Sequence, residues 1–397
     1  MNTFDVYTEL LGLPNVTITD FNVTKKVIEI SCTLTDKITS CPHCGADCTV
    51  VNDKTTRRLR DLNIAEREVF LLVTVRQFRC ITCGSCPTEQ IDFADANKSY
   101  THRQAKYVFT LCQKQSYAEI GAIVNMHAKT VERLVLDQCK KNLNLSNRYA
   151  QVKRLGIDEQ SHRKGKKDYI CLLTDLDTGT IIDMLPNRKK ETLVAHFKAL
   201  GDGFCSQITD VSCDIWTPYI STIETCFPNA NLILDRFHVV KLLNESLDNF
   251  RKELRKDHKD EVAYKKLKWV LFKQYHRLTD NQIHDLNAGF ALSPELKEYY
   301  FLREKFHHIL DNQNDVDITI TLLDEWVRNI QEKKITVFDS FIKTLQNHKQ
   351  YIANYVKDNL SNAVTEGLNN LVRSIRRCAF GMPNFNNLRL RVMAISG

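Results

Sequence analysis

The chain has 397 residues, of which 43% are hydrophobic and 26% are charged, and its formal net charge at pH 7 is +7. The length allows two or more domains, and the composition is that of an ordinary globular protein. No apolar run reaches the ~18–20 residues that a membrane span needs, so we expect no membrane partner. Met1–Leu13 lacks the pattern of a secretion signal, and the 14 cysteines therefore favour metal sites over disulfides.

The first part of the chain, residues 1–98, predicts a β module held by a metal ion. Residues 15–34 alternate apolar and polar positions and predict two short strands. Two knuckles of the form Cys-x-x-Cys-Gly follow, and alternating apolar residues between them predict a long hairpin that brings them together. Four thiolates at these knuckles predict a closed tetrahedral Zn²⁺ site. Its ligands are Cys41, Cys44, Cys80 and Cys83.

Other assignments stay open for this module. His43, Cys48 and Cys86 lie close enough in the sequence to replace one of the four thiolates. Free buried cysteines are also common, and in that case the knuckles hold no metal.

Arginines on or beside the predicted hairpin suit contacts with DNA phosphates. The candidates are Arg57, Arg58, Arg60 and Arg76. For any single arginine, a solvated strand face is the simpler explanation.

Residues 99–150 predict a helix-turn-helix. Apolar residues recur at helical spacing in residues 116–124 and again in residues 128–135, and Asn125-Met-His interrupts them. In a helix-turn-helix the second helix enters the major groove of DNA. The side chains that would reach the bases are Lys129, Thr130 and Arg133. A helical hairpin without DNA contact is the alternative.

Residues 151–240 predict a domain whose strands end in carboxylates. Three apolar runs separated by turns predict an antiparallel meander with Asp158 on its first strand. Two helix–strand patterns and the start of a long helix follow, and Asp214 directly follows the fourth strand. The order βββαβαβα is that of the ribonuclease-H-like fold, in which acidic residues at the ends of neighbouring central strands meet at one edge of the sheet.

Each acidic residue of this domain has a structural alternative. Asp214 and Asp235 both precede helices and could act only as N-caps. Asp210 would face the same side of its strand as Asp214, but we choose Asp214 because the strand ends there. His238, three residues after Asp235, could be a satisfied structural histidine.

Residues 241–358 predict an all-helical insertion, in which we expect Trp269 to occupy a core position. Residues 359–397 predict the last catalytic helix and a basic tail, with Ser361 as the N-cap. On this helix Glu366 shares a polar stripe with Asn362, Asn369 or Asn370, and Arg373. The basic residues expected to meet phosphates near the cut are Arg373, Arg376 and Arg377.

Asp158, Asp214 and Glu366 suit one carboxylate cluster that binds Mg²⁺ or Mn²⁺. Two such ions about 3.5–4 Å apart can hold both the attacking and the leaving oxygen of a phosphodiester. Mg²⁺ is a hard ion whose protein ligands are carboxylates. The chain shows no pairing of a nucleophile with a base that would support another cleavage chemistry.

At these motifs the chain resembles bacterial insertion-sequence DDE transposases of the ISL3 family. The resemblance rests on Gly156–Glu159, Asp214–Tyr219, Asn231–Lys241 and the stretch from Ser361 through Glu366-Gly-Leu-Asn-Asn370 to Gly381. It implies a zinc ribbon, a helix-turn-helix and a ribonuclease-H-like domain in one multidomain chain that mixes α/β and α+β parts.

By this resemblance Asp158, Asp214 and Glu366 are the catalytic triad, and Asp235 and His238 are accessory residues. It further implies double-stranded DNA partners, namely terminal inverted repeats and target DNA, and a homodimer on DNA. We expect a cytoplasmic bacterial protein that is associated with the nucleoid when it is bound to DNA.

The predicted function is therefore a DNA transposase that cleaves DNA and transfers the freed strand with divalent metal. The main alternative is a catalytically silent DNA-binding regulator derived from a transposase. A second alternative is a ribonuclease-H-type nuclease that cuts DNA without joining it.

Overall fold

The computed structural model describes residues 3–36, 38–143, 148–163, 168–257, 262–360, 363–379, 382 and 384–396. Ser361 and Asn362, at the start of the predicted last motif, and Gly381, at its end, lie outside these residues. The chain divides into two compact units. The first comprises Met1–Leu143 with Arg373–Ile395, and the second comprises Asn144–Val372 with Ser396–Gly397.

The first unit begins with a strand-rich region and continues into helices. Its elements are α1 (Thr3–Leu11), β1 (Val16–Val23), β2 (Val27–Leu34), β3 (Thr39–Ser40), β4 (Asp47–Cys48), β5 (Val50–Ile64), β6 (Arg67–Arg79), α2 (His102–Leu111), α3 (Tyr117–Val124) and α4 (Ala128–Asn142).

The strands β1, β2, β6 and β5 form one sheet in that order. As the alternation predicts, β5 and β6 pair as a long antiparallel hairpin. Its turn residues Ala65 and Glu66 have φ of 47° and 65°, which matches the twist of a tight hairpin turn. The base of the hairpin, where Val50 pairs with Arg79, lies beside both cysteine knuckles. The hairpin therefore brings the two knuckles together.

Two helices separated by a tight turn occupy the predicted helix-turn-helix region. A capping box between Ser116 and Glu119 starts α3, and Asn125, with φ of 52°, ends it. A Cβ atom on Gly121 would lie 2.5 Å from the backbone oxygen of Met126. Only glycine allows the turn to approach α3 this closely, so Gly121 is part of how the sequence encodes this arrangement.

The C-terminal helix belongs to the first unit, whereas the sequence suggests that it continues the catalytic core. The elements concerned are α14 (Ala363–Cys378), whose second half lies in this unit, and α15 (Phe385–Ile395). Leu390 and Ala394 pack against the core of α2, α3 and α4. Arg391 is fully buried, donates to the backbone oxygens of Cys112 and Gln115, and stacks on Tyr117. It is a structural residue and not part of a basic surface.

The second unit contains a five-stranded sheet followed by a helical region. Its elements are β7 (Arg154–Arg163), β8 (Asp168–Asp175), β9 (Thr180–Leu185), α5 (Lys190–Leu200), α6 (Asp202–Gln207), β10 (Asp210–Cys213), α7 (Thr217–Cys226), β11 (Asn231–Leu234), α8 (Arg236–Asp257), α9 (Val262–Val270), α10 (Asp280–Leu292), α11 (Pro294–Asp311), α12 (Val316–Glu332), α13 (Asp339–Ala353) and the first half of α14.

The strand order of this sheet is β11-β10-β7-β8-β9. β7, β8 and β9 form the predicted antiparallel meander. β10 pairs in parallel with β7 on one side and with β11 on the other. Parallel pairing needs crossover connections, and α5 with α6 and then α7 supply them.

The sheet and the helical region share one hydrophobic core. Phe197 of α5 and Tyr219 of α7 belong to the same buried cluster as Phe306 of α11 and Trp326 of α12. Trp326 is completely buried and donates its indole N–H to the backbone oxygen of Leu302 at 2.9 Å. Trp269 of α9 is 67% exposed, which corrects the expectation of a core position. Among the described helices, none is both long and apolar enough to cross a membrane.

Candidate active site and zinc centre

Three aspartates meet at one edge of the sheet of the second unit. Asp158 lies on β7 where its pairing with β10 ends, Asp214 directly follows β10, and Asp235 directly follows β11. Cys213, directly before Asp214, pairs with Ile157 on one side and with Leu234 on the other. These two partners directly precede Asp158 and Asp235. Adjacent strands lie about 4.8 Å apart, so the register places the three positions side by side.

His238, in the first turn of α8, contacts two of these aspartates. Its Nδ1 lies 2.9 Å from Asp214 Oδ1 and 3.2 Å from Asp235 Oδ2. Burial opposes protonation of the ring, but the two carboxylates outweigh it and raise the pKa of His238 to about 10. A protonated Nδ1 carries one hydrogen and can donate one full hydrogen bond. The carboxylate that does not receive this bond keeps an oxygen that can bind another partner.

Asp158 is held by two donors. Its Oδ1 accepts from the backbone N–H of Glu159 at 2.6 Å, and its Oδ2 accepts from Asn369 Nδ2 at 2.6 Å. Burial and the neighbouring charge of Asp214 nevertheless raise the pKa of Asp158 to about 6. The two aspartates therefore repel each other across adjacent strands.

Glu366 lies in the first turn of α14 and is exposed. The residues around it anchor this helix to the sheet. Thr365 Oγ1 lies 3.0 Å from Thr174 Oγ1 of β8, and Asn369, three residues after Glu366, bonds to Asp158. Residues three apart on a helix are neighbours, with Cβ atoms about 5–6 Å apart. Glu366 thus flanks the contact between Asn369 and Asp158.

The described side chains that could hold a metal together at this edge are Asp214, Asp235 and His238, whose ligand atoms lie within 4.8 Å of one another. This group differs from the predicted one, because it contains Asp235 and His238 and does not contain Asp158 or Glu366. Asp158 lies on the strand next to Asp214, and Glu366 lies three residues before Asn369, which bonds to Asp158.

The donor set at this edge fits a hard divalent cation. Carboxylate oxygens are the ligands that Mg²⁺ and Mn²⁺ prefer. Asp158 and Asp214 are adjacent and partly buried, and burial together with the charge of Asp214 raises the pKa of Asp158. A divalent cation between them would remove this repulsion.

The four predicted zinc ligands lie together in the first unit. Their Sγ atoms are within 4.8 Å of one another. Cys41 Sγ lies 3.6 Å from Cys83 Sγ, and Cys44 Sγ lies 3.5 Å from Cys80 Sγ. A tetrahedral site with Zn–S bonds of about 2.3 Å requires sulfurs roughly 3.8 Å apart. The cluster therefore fits Zn²⁺.

The two knuckles have the same backbone form. The N–H of Gly45 donates to Cys41 O at 2.8 Å, and the N–H of Gly84 donates to Cys80 O at 2.9 Å. Both glycines have positive φ, at 75° and 76°, a conformation that glycine adopts without strain. This repeated geometry explains why each Cys-x-x-Cys pair is followed by glycine.

The rival zinc ligands lie outside this cluster as the described side chains are arranged. Cys48 is buried beside it and its sulfhydryl faces the backbone oxygen of Ala46 at 3.6 Å. His43 and Cys86 are exposed. Ser85 Oγ lies 3.0 Å from Cys41 Sγ and 3.1 Å from Cys83 Sγ, so its hydroxyl can donate to a thiolate.

Three of the hairpin arginines predicted to meet DNA make internal contacts instead. Arg57 donates to the backbone oxygens of Asp95 and Lys98. Arg60 is 5% exposed and donates to the backbone oxygens of Val69 and Val124. Arg76 pairs with Glu89 at 2.6 Å, and both side chains are mostly buried. These contacts and their burial leave the three guanidinium groups little free surface for a phosphate.

The remaining predicted DNA contacts lie at or near the surface. Arg58 is half exposed, stacks on Phe70 and pairs with Glu29. Lys129 and Arg133 are exposed on α4, with Thr130 half-buried beside them. On α14, Arg373 and Arg377 are exposed and Arg376 is half-buried.

Sequence reasoning overlooked three residues of the active-site edge. The sequence presents Asn369 only as one member of a polar stripe. The structure shows that the Asn369 side chain donates a hydrogen bond to Asp158. Arg188 and Trp216 border a cavity beside Asp214. Trp216 lies within a quoted motif, but nothing in the pattern of the sequence marks Arg188.

Two family models match the chain. The family model of ISL3 DDE transposases, described as "Transposase", matches residues 155–392. A second model, described as "zinc-finger of transposase IS204/IS1001/IS1096/IS1165", matches residues 38–83.

Two curated relatives match over most of the chain. The transposase for insertion sequence element IS1001 of Bordetella parapertussis is 26% identical over 365 residues, which cover 91% of this chain and 89% of the relative. The transposase for insertion sequence element IS1557 of Mycobacterium tuberculosis is 27% identical over 354 residues, which cover 82% of this chain and 78% of the relative.

The transposase model covers more than half of the chain and includes the three aspartates of the carboxyl edge. The zinc-finger model includes the four cysteines of the cluster. Membership implies DNA binding, divalent metal and, for the ribbon, zinc. The chain belongs to the ISL3 family of DDE insertion-sequence transposases.

Proposed function

We propose that this transposase binds the terminal inverted repeats of its element through the zinc ribbon and helix-turn-helix, and cuts and joins DNA at the carboxyl edge of the second unit. The observation that carries the proposal is the meeting of Asp158, Asp214 and Asp235 at neighbouring positions of three adjacent strands. Such an edge is suited to holding divalent cations against a phosphodiester.

The sheet supports assignment of the second unit to the ribonuclease-H-like fold. An antiparallel meander of three strands, extended by two parallel strands beside the first, is the arrangement expected of that fold. The long helical region between β11 and α14 is then an insertion before the last catalytic helix. In this assignment α14 supplies Glu366 to the edge that β7 and β10 form.

Asp158, Asp214 and Glu366 are proposed to hold Mg²⁺, or Mn²⁺ in its place. A pair of such ions supplies an activated water or 3′-hydroxyl and stabilises the leaving oxygen. The chain itself positions the ligands. Asn369 fixes one oxygen of Asp158, and the backbone N–H of Glu159 fixes the other.

His238 and Asp235 are proposed to position Asp214. His238 Nδ1 lies 2.9 Å from Asp214 Oδ1 and 3.2 Å from Asp235 Oδ2, so the positive ring can attract and orient the Asp214 side chain. Asp235 is 4% exposed, and its backbone N–H donates to Cys213 O at 2.9 Å. It is therefore held rigidly and can fix the ring of His238 in turn.

The exposed face of α4 is proposed to enter the major groove of the inverted repeat. Lys129 and Arg133 lie on that face, and Arg58 of the hairpin extends the positive surface within the same unit. Arg373, Arg376 and Arg377 would contact phosphates. Two ends must be processed together, so we propose a homodimer on DNA, with target DNA as the second partner.

A donor plasmid assay tests the proposal. With Mg²⁺, wild-type protein should release or join the element's ends, and Asp158→Ala, Asp214→Ala and Glu366→Ala should each abolish product. Glu298→Ala is the matched control, because this exposed carboxylate forms a surface ion pair with Lys333 and such pairs contribute little.

A binding measurement on the same proteins separates the alternatives. If the triad variants bind the inverted repeat like wild type but cut nothing, the catalytic assignment stands. Binding without cleavage by wild-type protein would instead indicate a silent regulator, and cleavage without joined product would indicate a nuclease. Unchanged product from all three variants would refute the triad.

A further inference from the structure

A cavity of about 290 Å³ opens beside the carboxyl edge in the second unit. Asp214 and His238 form one wall, and Arg188, Trp216, Lys241 and Glu245 contribute to the others. Pockets for small molecules range from about 300 to 1,000 Å³. The volume of this cavity lies at the lower limit of that range, which suits a ligand of about one nucleotide and not a duplex.

Arg188 is fixed in place at this cavity. Its guanidinium lies 4.0 Å from the ring centroid of Tyr169 and 4.4 Å from that of Trp216, so two aromatic rings contact it. Its NH1 donates to Glu159, which also accepts from Tyr219 Oη at 3.2 Å. Arginine has five N–H donors in one plane, and the donors away from Glu159 can meet a ligand without further ordering of the side chain.

The remaining lining combines an aromatic ring with charges of both signs. Trp216 is half-buried at the start of α7 and is held edge-on by Tyr219 at 4.7 Å. Lys241 lies one helical turn after His238 and is exposed, and Glu245 lies one turn further. A free phosphate would use only the cationic side chains of this lining, and an apolar ligand would gain nothing from its charged side chains. A nucleotide uses the ring for its base, a carboxylate for base N–H groups and a cation for its phosphate.

We propose that this cavity receives one unpaired nucleotide adjacent to the bond that is cut, with Trp216 as the stacking residue. The inference rests on the proposed function, because the cavity shares Asp214 and His238 with the cleavage site. A base in a duplex is stacked and paired, so the nucleotide must leave the helix to enter the cavity. Stacking on Trp216 and contact with Arg188 then offset part of the energy of unpairing.

Cleavage of paired and pre-unpaired substrates tests the inference. Trp216→Ala should cut a fully paired end about 5- to 150-fold more slowly, the equivalent of about 1–3 kcal/mol of lost stacking. A mismatch at the nucleotide next to the cut should restore most of that loss, because the substrate is already unpaired. Trp216→Phe keeps a ring and should stay within a few-fold of wild type.

Trp269→Ala is the matched control. Trp269 is an exposed tryptophan of the same unit that does not line the cavity, and its loss should leave both substrates unaffected. Equal slowing of both substrates by Trp216→Ala would indicate a structural role and overturn the inference. Normal cutting of the paired end by Trp216→Ala would overturn it as well.

A fluorescence measurement keeps this inference separate from the proposed function. 2-Aminopurine is placed in turn at positions beside the element's end, in DNA bound without divalent metal in the buffer. Wild-type protein should change its emission at one position, and Trp216→Ala should not. If wild type cuts neither substrate yet gives this signal, the nucleotide site stands and the cleavage proposal fails. No position-specific signal refutes the nucleotide site, whatever the cleavage assay shows.

Discussion

Replacing Asp158 by asparagine should stabilise the second unit while abolishing cleavage. Burial and Asp214 raise the pKa of Asp158 from 3.8 to about 6. At about 1.4 kcal/mol per pH unit, holding this carboxyl ionised at pH 7.5 costs the folded state up to about 3 kcal/mol. Asp158→Asn removes the charge, and Asn369 can turn its amide to accept from the new side chain.

The sign of the effect follows from the pKa. Because the folded-state pKa of Asp158 is raised, the destabilisation is full above pH 6 and disappears as the pH falls to about 4. Urea unfolding of wild type and Asp158→Asn should therefore differ most at pH 7.5 and converge near pH 4. The buffer should contain no added divalent metal and no chelator, so that zinc stays in the ribbon.

Addition of Mg²⁺ should narrow the difference at pH 7.5, because the cation stabilises wild type by binding its folded state. An equally large difference at pH 4 and pH 7.5 would refute the reasoning, since it would show that charge repulsion is not the cause. A variant less stable than wild type at pH 7.5 would refute it too.

The structure supports three further predictions about stability. Gly121→Ala should lower the melting temperature of the first unit and weaken DNA binding, because the new Cβ would lie 2.5 Å from Met126 O, whereas Gly203→Ala, with nothing within 4 Å, should be neutral or stabilising. Arg391→Met should destabilise the same unit by about 1–3 kcal/mol in urea unfolding, because it leaves buried backbone acceptors unpaired; unchanged unfolding would contradict the docking of α15. His307→Gln should flatten the loss of stability below pH 6.5 by up to about 1.4 kcal/mol per pH unit, because burial, Arg303 and Arg236 lower the pKa of His307 to about 3 and the unfolded chain takes up the proton first; parallel pH–stability curves would contradict it.

Local patterns in the sequence predict most of the helices and strands, but they predict few of the contacts between elements that are distant in the sequence. Alternation predicts β6 and with it the long hairpin, because a half-buried strand shows its burial in every second residue. Apolar runs separated by turns predict the meander of β7 to β9. The parallel placement of β10 and β11 beside β7 rests on resemblance to a fold, since both are short runs buried on both faces. That placement is what joins Asp158, Asp214 and Asp235.

Whether an individual arginine is buried or exposed depends on tertiary contacts that no local sequence pattern predicts. Arg60 looks like a surface residue of a hairpin until Val124, 64 residues away, accepts its N–H. Arg391 contacts a backbone oxygen 276 residues earlier in the chain. Trp269 is the opposite case, because the sequence predicts a core position and the structure exposes the side chain. Helical spacing predicts that a helix has a buried face, but it does not decide which apolar residues of the helix lie on that face.

Metal-directed cleavage of the polypeptide tests the central claim most directly. Fe²⁺ with ascorbate and peroxide, in zinc-loaded protein, should cut the backbone near Asp158 on β7, near the ends of β10 and β11 and near the first turn of α14. Excess Mg²⁺ should suppress every cut. Cuts at the three strands without any near Glu366, or cuts that Mg²⁺ leaves unchanged, would contradict a shared site for these carboxylates.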